Sequence, residues 1–410
     1  MNPRRIIFTA LLPFASGYLM SYLLRAVNAV VAPELVKDAG LSPAQLGLLT
    51  AAYLGAFALF QLPLGVLLDR YGPRKVQTGL LTVAAAGCLA FALAPGFGSM
   101  FAARAVIGLG FSAGLMASYK SSATWVPLER RSLANTAIMA FGAMGVVIAT
   151  KPTALLVDAI GWRHAFMLFA AVIMLAVTFI FTTAPRIDTS TKPAPLAQQA
   201  REMAAILRLP LFWRVAPLLG LTSGVQIGIQ TLWAGPWFRD VMGLDREGVA
   251  QHLLWLALAF VVGILSVGVV ADRLGRRGIS PLSVMLGYLM IYIAAQALVV
   301  FRVEALMFPA WLAIAAFGQV GVLAFPWFAA RVGQGLAGRS NATINFAMFV
   351  SAFTSQYAVG LVIGLFPVTA NGYDPRGYSW AFGLFLVLQI AALIWYLAGN
   401  VQKAQSEAHA

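Results

Sequence analysis

The stretch GVLLDRYGPRKV, residues 65–76, decides how the rest of the chain is interpreted. A near copy, GVVADRLGRRGI, stands at residues 268–279, about half of the 410-residue chain further on. Each copy ends an apolar run with an Asp-Arg pair, allows a tight turn at a glycine and continues with basic residues. A repeat at half the chain length predicts two copies of one structural unit, each containing one of these turns.

The composition of the chain points to a lipid environment. Of its residues 60% are hydrophobic and only 10% are charged, and the mean hydropathy is +0.83. Soluble domains carry about 25% charged residues, and a single soluble core does not grow beyond about 250–300 residues. Most of the chain is therefore expected to lie within a membrane.

Apolar segments long enough to cross a membrane recur along the chain. A helix needs about 20 apolar residues to cross the hydrocarbon core, and glycine, proline and charged clusters mark the ends of such segments. These criteria predict an all-α membrane protein with twelve transmembrane helices, spans 1–12, at 6–33, 43–67, 76–95, 99–123, 133–158, 164–184, 212–238, 248–271, 280–300, 307–330, 339–366 and 378–399. The N-terminal run is too long for a signal peptide and lacks a clear small-residue cleavage site, so it is assigned to span 1.

The longest polar interruption divides the spans six and six. It predicts a six-helix bundle at 1–184, a cytoplasmic linker at 185–211, a second six-helix bundle at 212–400 and a cytoplasmic tail at 401–410. Of the 28 Lys and Arg residues, 19 fall on the side of the termini, 6 on the opposite side and 3 within spans. Because cytoplasmic loops carry the excess of basic residues, both termini are expected in the cytoplasm. The net charge of +14 is then a topology signal and not a sign of nucleic-acid binding.

The two turns resemble the G-x-L-a-D-R-x-G-R-[KR] loop of the major facilitator superfamily, and the twelve-span pattern extends the resemblance over essentially the whole chain. The resemblance implies two pseudo-symmetric bundles with a substrate site between them. It also implies a gating role for the Asp-Arg pairs, which would hold the bundles together on the cytoplasmic side while the outside is open: Asp69, Arg70, Asp272 and Arg273. Anchoring at the anionic inner leaflet is the alternative, and it suits the basic residues that follow: Arg74, Lys75, Arg276 and Arg277.

Three cations lie inside spans, where charge is costly and usually functional. Arg25, Arg104 and Lys151 all fall in the first half, and at 1.5 Å per residue each lies roughly 8–12 Å below the outer boundary. Of the 14 acidic residues, only Glu34 and Asp158 come near them. A buried cation without a partner is unfavourable, so we expect the anionic group of a substrate to bind there.

The resemblance gives the two arginines different roles. Arg25 resembles the span 1 arginine of the Y-L-x-R type in organic-anion and phosphate-ester transporters of the superfamily, where it contacts the anion. It follows Leu24, where proton-coupled relatives often carry aspartate, so proton symport is not implied. Arg104 resembles the arginine of an R-x-x-x-G pattern that packs helices and couples their motion. A structural role is therefore its alternative to substrate binding.

Two lysines complete the basic candidates. Lys120 lies in a context similar to the K-x-x-x-x-W-F-P-x-x-E-R end of span 4 in the anion–cation symporter branch, with Val126 in place of Phe. It would attract anions at the inner mouth or extend to the lipid headgroups. Lys151 precedes Pro152, which can bend span 5 and direct the lysine into a cavity. Its alternative is again a side chain that reaches the headgroups.

The second half offers neutral polar and aromatic groups. Gln226, Gln230 and Trp233 follow at steps of four and three, which places them on one helix face, and Tyr357 lies among polar residues of span 11. Such groups more often make interhelical hydrogen bonds or pack than bind ligands. We expect Gln230, Trp233 and Tyr357 to close over an anion that the cations of the first half hold.

The sequence shows no constellation for catalysis or for a cofactor. Cys88 stands alone, His164, His252 and His409 are scattered, and no phosphate-binding glycine loop occurs. We therefore expect no enzyme and no cofactor, but a monomeric inner-membrane transporter, secondary active or facilitative, that moves a small carboxylate-type anion by alternating access. A coupling ion is left open. The alternatives are an exporter of drugs or amphipathic compounds within the same superfamily, and a receptor that binds an anion without moving it.

Overall fold

The computed structural model describes residues 7–185, 196–333, 336–369 and 372–399, almost all of them in helices. Several basic residues used to predict the topology lie outside these ranges, namely Arg4, Arg5, Arg186, Lys192 and Lys403. Within the ranges, eleven helices are long and apolar enough to cross a membrane, and a shorter apolar helix, Leu133–Ile148, falls on predicted span 5. The prediction of an all-α membrane protein is confirmed.

The first half contains spans 1–6. Span 1 comprises Ile7–Leu11, Leu12–Ala26 and Asn28–Ala39, spans 2 and 3 form the run Pro43–Leu93, and span 4 comprises Phe97–Gly110 and Gly114–Trp125. Span 5 begins as Leu128–Ile148 and continues into the run Lys151–Thr183, whose second part is span 6. Span 1 continues beyond the predicted end at residue 33, because Pro33 lies inside the helix and does not end it.

The second half contains spans 7–12. A helix at Leu196–Arg208 occupies part of the predicted linker. Span 7 comprises Pro210–Leu219, Gly220–Gly224, Val225–Gly228, Ile229–Trp233 and Ala234–Met242; spans 8 and 9 are Arg246–Gly275 and Pro281–Val300. Span 10 comprises Glu304–Leu306, Met307–Phe317, Val320–Leu323 and Ala324–Val332; spans 11 and 12 are Ala337–Ile363 and Pro375–Ala398. Two short antiparallel strands, Val368–Thr369 and Gly372–Tyr373, lie between spans 11 and 12.

Glycines with positive φ make sharp turns in the first half, and two of them divide long helical runs. Gly72, with φ 75°, separates spans 2 and 3, and Gly161, with φ 78°, separates spans 5 and 6. A side chain with a Cβ would be strained in this left-handed region, which glycine adopts freely. Gly72 belongs to the first copy of the repeat, so the tight turn that the sequence predicts there is confirmed.

The outer surface of the bundle is apolar. Leu93, Leu175 and Trp380 are each about 70% exposed, together with many other large hydrophobic side chains. A soluble monomer rarely exposes so much apolar surface, whereas lipid is a suitable solvent for it. One hydrophobic core runs through both halves and contains buried residues of all twelve spans.

The two ends of the bundle differ in how closely the halves meet. We name the end with the turns after spans 2 and 8 the Asp69 side, and the opposite end the Glu34 side. On the Glu34 side, a Cβ added to Gly47 of span 2 would lie 2.7 Å from the carbonyl oxygen of Gln356 in span 11. A Cβ on Gly360 would lie 2.5 Å from the carbonyl oxygen of Pro43. Spans 2 and 11 are therefore in backbone contact at this end.

Candidate functional site

A cavity of about 380 Å³ lies between the halves, a size typical of small-molecule sites. Spans 1, 2, 4 and 5 form one wall and spans 7, 8, 10 and 11 form the other. The polar lining residues come from both walls: Tyr18, Tyr22, Arg25, Gln61, Ser112, Tyr119, Gln226, Gln230, Thr231, Gln319, Asn341 and Asn345. Rings and methionines make up much of the apolar lining: Phe57, Met116, Met139, Phe260, Phe325, Met348 and Phe349.

This central cavity continues towards the Asp69 side. A second cavity of about 700 Å³ shares Tyr22, Met139, Gln319 and Val322 with it and reaches Asp272 and Arg276 at the end of span 8. The Glu34 side, in contrast, is closed by the backbone contact of spans 2 and 11. The site is thus accessible from one side of the bundle.

Arg25 carries the charge of the central cavity. It is 7% exposed, and among the described lining residues it is the charged one. Its guanidinium carbon lies 4.9 Å from the ring centre of Tyr22, 5.1 Å from that of Phe57 and 5.0 Å from that of Phe349. Its Nε is buried without a hydrogen-bond partner, and none of the ion pairs within the described ranges includes Arg25.

Polar contacts between spans 1 and 2 hold this part of span 1 in place. Arg25 lies in the last turn of Leu12–Ala26, just before the interruption at Val27. On either side of it, Ser21 Oγ lies 3.1 Å from the Tyr53 hydroxyl, and Asn28 Nδ2 donates to Thr50 Oγ1 at 2.8 Å. Because buried polar groups need such partners, these two bonds fix the rotation of span 1 and direct Arg25 to the cavity.

Arg104 lies beside Arg25 but outside the described lining of the cavity. It is fully buried, and its Nη1 donates to the carbonyl oxygen of Leu24 at 3.2 Å. Its guanidinium lies 5.6 Å from the ring centres of both Tyr53 and Phe91, while Nε and Nη2 have no partner in the described part of the chain. This geometry favours the packing role that the R-x-x-x-G pattern implies.

Lys151 has an acidic partner, which corrects the expectation that it is unpaired. Its Nζ lies 3.2 Å from Glu247 Oε1 and donates to Gln251 Oε1 at 3.2 Å, both in span 8. Nearby, Arg246 pairs with Glu34 and, at 2.7 Å, with Asp158 Oδ1. We name these ion pairs between the halves the Glu34-side cluster. The expectation failed because Glu247 is 96 residues away in sequence and only the packing of span 5 on span 8 brings it near.

The three cations do not form the single cluster that the sequence predicts. Arg104 Nη1 donates to the carbonyl oxygen of Leu24, next to Arg25, so these two arginines lie at one level. The structure brings Arg25 and Arg104 together around Tyr53 and places Lys151 in the Glu34-side cluster.

The residues of the two repeated turns pair within their own halves. Lys120 Nζ lies 2.6 Å from Asp69 Oδ1 and donates to the carbonyl oxygen of Leu68 at 2.8 Å, so Lys120 ties span 4 to span 2. Asp272 pairs with Arg276 one turn later at 2.8 Å. Arg70 lies against the ring of Tyr71, and Arg273 lines the larger cavity. The separation of the halves at this end agrees with a cavity that is accessible from the Asp69 side.

Irregular helix in span 7 separates the three residues that were expected on one face. Gly220–Gly224 and Ile229–Trp233 are π-helical, and such wide turns change the direction of the following side chains. Gln226 and Gln230 line the cavity, whereas Trp233 is fully buried and its Nε1 donates to the carbonyl oxygen of Gln356 at 2.9 Å. Tyr357 lies in the contact with Gly47 and, like Trp233, outside the described cavity lining.

Gln319 is a cavity residue that the sequence reasoning missed. Its Nε2 donates to Gln226 Oε1, and Gln226 Nε2 in turn donates to Gln230 Oε1. Gln319 follows Gly318 where span 10 changes from α-helix to a 3₁₀ turn. A single glutamine after a glycine in a long apolar run was the available signal. The rings around Arg25 gave no signal, because aromatic residues occur throughout the spans.

Comparisons with known proteins agree with this architecture. A family model described as Major Facilitator Superfamily matches residues 14–356. A bacterial homologue of the human lysosomal transporter Spinster, in an inward-facing and unoccupied conformation, has a TM-score of 0.72 at 17% identity and covers 100% of this chain and 99% of its own. A D-xylose–proton symporter has a TM-score of 0.70 at 17% identity, over 95% of this chain and 97% of its own. At these identities the likeness concerns the fold alone.

Relatives with assigned substrates match more closely in sequence. The probable sulfoacetate transporter SauU of Cupriavidus necator is 25% identical over 63% of this chain and 64% of its own length. The hexuronate transporter of Escherichia coli K12 is 26% identical over 60% of each protein, and the probable galactarate/D-glucarate transporter GudP of the same strain is 24% identical over 83% of each. The chain thus spans less than two thirds of the length of the first two. With the family model matching most of its residues, the chain belongs to the Major Facilitator Superfamily.

Proposed function

We propose that this protein carries a small organic anion across the membrane by alternating access, with Arg25 as the residue that binds the anionic group. The observation that carries the proposal is a buried guanidinium in the cavity between the halves without an ion pair in the described chain. An unpaired buried charge is unfavourable, and a charge inside a membrane bundle usually marks the path of a substrate. An anionic ligand would supply the missing partner.

The relatives support the same class of substrate. Sulfoacetate, hexuronate, galactarate and D-glucarate, named for three of them, all carry carboxylate or sulfonate groups. A cationic drug would meet the positive charge of Arg25, which disfavours the drug-exporter alternative. An anion receptor would need a binding site but no second conformation, whereas the one-sided access of this cavity is what alternating access requires.

The orientation of the bundle follows from its loop charges. Cytoplasmic loops are the basic ones, so we propose that the Asp69 side faces the cytoplasm, with both termini on that side of an inner membrane. The described conformation is then open to the cytoplasm. Binding of an anion at Arg25 would draw the two walls together and shift the population towards the other conformation, because the ligand contacts both walls only when they approach.

Substitution of Arg25 tests the proposal. The full-length protein in detergent is titrated with D-galacturonate, galactarate and sulfoacetate by calorimetry, and uptake of the best ligand is then followed in liposomes. Arg25→Gln is expected to weaken binding roughly 10- to 100-fold, the worth of hydrogen bonds to a charged group. Arg277→Gln, with the same charge change on the exposed Asp69 side, is the matched control. Equal affinity of Arg25→Gln and wild type for every anion would contradict the proposal.

A further inference from the structure

The central cavity has one cation on the wall of the first half and a row of uncharged amides on the opposite wall. Arg25 supplies the positive charge on the wall of the first half, and the described lining of the opposite wall is neutral. Arg104 is fully buried outside the described lining of the cavity, and Lys120 is paired with Asp69. A ligand with one anionic group therefore finds one counter-charge, whereas a second anionic group would be desolvated against neutral side chains.

The amides on the second wall form a directed chain that ends in the cavity. Gln319 donates to Gln226, and Gln226 donates to Gln230. The chain is held at its start, since Gln319 Nε2 also lies 3.5 Å from the carbonyl oxygen of Ser223. Gln230 is its last member, half-buried and part of the lining, and its own Nε2 has no hydrogen bond within the described ranges. A donor held in place but unused suits a neutral hydroxyl or carbonyl oxygen.

We propose that the cavity selects monoanions over dianions and that Gln230, at the end of the chain from Gln319, determines specificity for a hydroxylated body opposite the carboxylate. This inference rests on the proposed function and deepens it, because it concerns the same site. The carboxylate lies on Arg25 in span 1, and the hydroxyl groups contact Gln230 in span 7. A ligand held at both ends joins the two walls, which a carboxylate with an apolar tail cannot do equally well.

Three six-carbon probes separate the two parts of the proposal. D-Galacturonate has one carboxylate and several hydroxyls, galactarate has two carboxylates on the same carbon skeleton, and hexanoate has one carboxylate and no hydroxyl; all are ionised at neutral pH. Calorimetry on the full-length protein is expected to give a D-galacturonate affinity about tenfold or more above that of each of the other two, the effect of one unsatisfied polar group.

Variants assign the effects to residues. Gln230→Met keeps the length of the side chain and removes the amide. It is expected to weaken the binding of D-galacturonate about tenfold and to leave the binding of hexanoate unchanged. Gln230→Arg, which adds a second cation, is expected to raise the affinity for galactarate relative to the affinity for D-galacturonate. Gln198→Met on the exposed linker helix is the control, and equal thermal unfolding midpoints without ligand show that each variant is folded.

The outcomes distinguish this inference from the proposed function. Galactarate binding as well as or better than D-galacturonate, with both affinities dependent on Arg25, overturns the preference for monoanions and leaves the anion site intact. Equal binding of hexanoate and D-galacturonate, or no effect of Gln230→Met, overturns the role of Gln230. Binding of none of the anions in an Arg25-dependent way contradicts the proposed function itself.

Discussion

At the scale of single residues, two neighbouring arginines differ in their access to the central cavity. Arg25 and Arg104 lie 6.0 Å and 5.6 Å from the ring centre of Tyr53. Arg25 lines the cavity, whereas Arg104 is enclosed by Tyr53, Phe91 and the backbone of span 1. The guanidinium plane of Arg104 can stack on both rings, and a lysine ammonium cannot reproduce that contact.

We expect Arg104→Lys to destabilise the protein and to change anion affinity little. The charge is kept, but the stacking and the bond to Leu24 are lost, at a cost of roughly 1–3 kcal/mol. The midpoint of thermal unfolding in detergent measures the stability, and calorimetry with D-galacturonate measures the affinity. Arg25→Lys is the comparison variant, which we expect to weaken anion affinity and to change the unfolding midpoint little. If Arg104→Lys weakened binding as much as Arg25→Lys and left the midpoint unchanged, Arg104 would belong to the binding site.

At the scale of elements, spans 2 and 11 meet through glycines, and this contact closes the Glu34 side. A Cβ on Gly47 would meet the carbonyl oxygen of Gln356 at 2.7 Å and the Trp233 ring at 3.3 Å. A carbonyl of a helix backbone cannot move without moving its span, so a larger residue at position 47 separates the two spans at this end. Gly79 of span 3, in contrast, faces open space.

We expect Gly47→Leu to shift the population towards a conformation that is open on the Glu34 side. The reporter is a cysteine at Val30, which lines a small pocket on that side, in a Cys88→Ala background that removes the chain's single natural cysteine. The maleimide labelling rate should rise at least several-fold over the parent. Gly79→Leu is the control and should leave the rate unchanged. A rate for Gly47→Leu equal to that of the control would show that the spans do not depend on this glycine.

At the scale of the whole molecule, ion pairs of the Glu34-side cluster join the two halves. Lys151 of the first half pairs with Glu247 of the second, and Arg246 pairs back to Glu34 and Asp158. Because the partners belong to different halves, these pairs stabilise the closed arrangement of the Glu34 side. Each is partly exposed and therefore contributes only about 0.2–1 kcal/mol.

We expect Lys151→Glu to raise labelling of the Val30 reporter by about two- to fivefold, since it replaces an attraction across the halves by a repulsion. Adding Glu247→Lys should restore the wild-type rate, because the swapped pair has the same charges. The difference should shrink as salt rises, since exposed charges are screened. A double variant labelled as fast as Lys151→Glu alone, or a rate insensitive to salt, would argue against the ion pair.

The proposed orientation of the whole bundle is tested by labelling intact cells. In the Cys88→Ala background, single cysteines replace Gly96, in the partly exposed turn between spans 3 and 4, and Arg277, in the exposed turn after span 8. A membrane-impermeant maleimide should label Gly96→Cys in intact cells and Arg277→Cys only after permeabilisation, because the Arg277 turn belongs to the basic side that is proposed to face the cytoplasm. The reverse labelling pattern would show that the bundle has the opposite orientation in the membrane.

The sequence by itself determined what depends on local composition. Apolar length specified the spans, glycine specified the turn at Gly72, and the repeat indicated two related halves, since each of these follows from residues close together in the chain. Arg25 was also recognisable as a cavity candidate, because a charge in an apolar run has few alternatives.

Only the tertiary structure decided what each of the other candidates contacts. It gave Lys151 a partner in span 8, buried Arg104 against Tyr53 and the backbone of span 1, turned Trp233 away from Gln230 and brought Gln319 to Gln226. These outcomes depend on the rotation and depth of each span, which packing against distant segments determines and local sequence does not. A single π-helical turn is enough to move a side chain from the cavity into a helix contact, and no periodicity in the sequence marks where such a turn occurs.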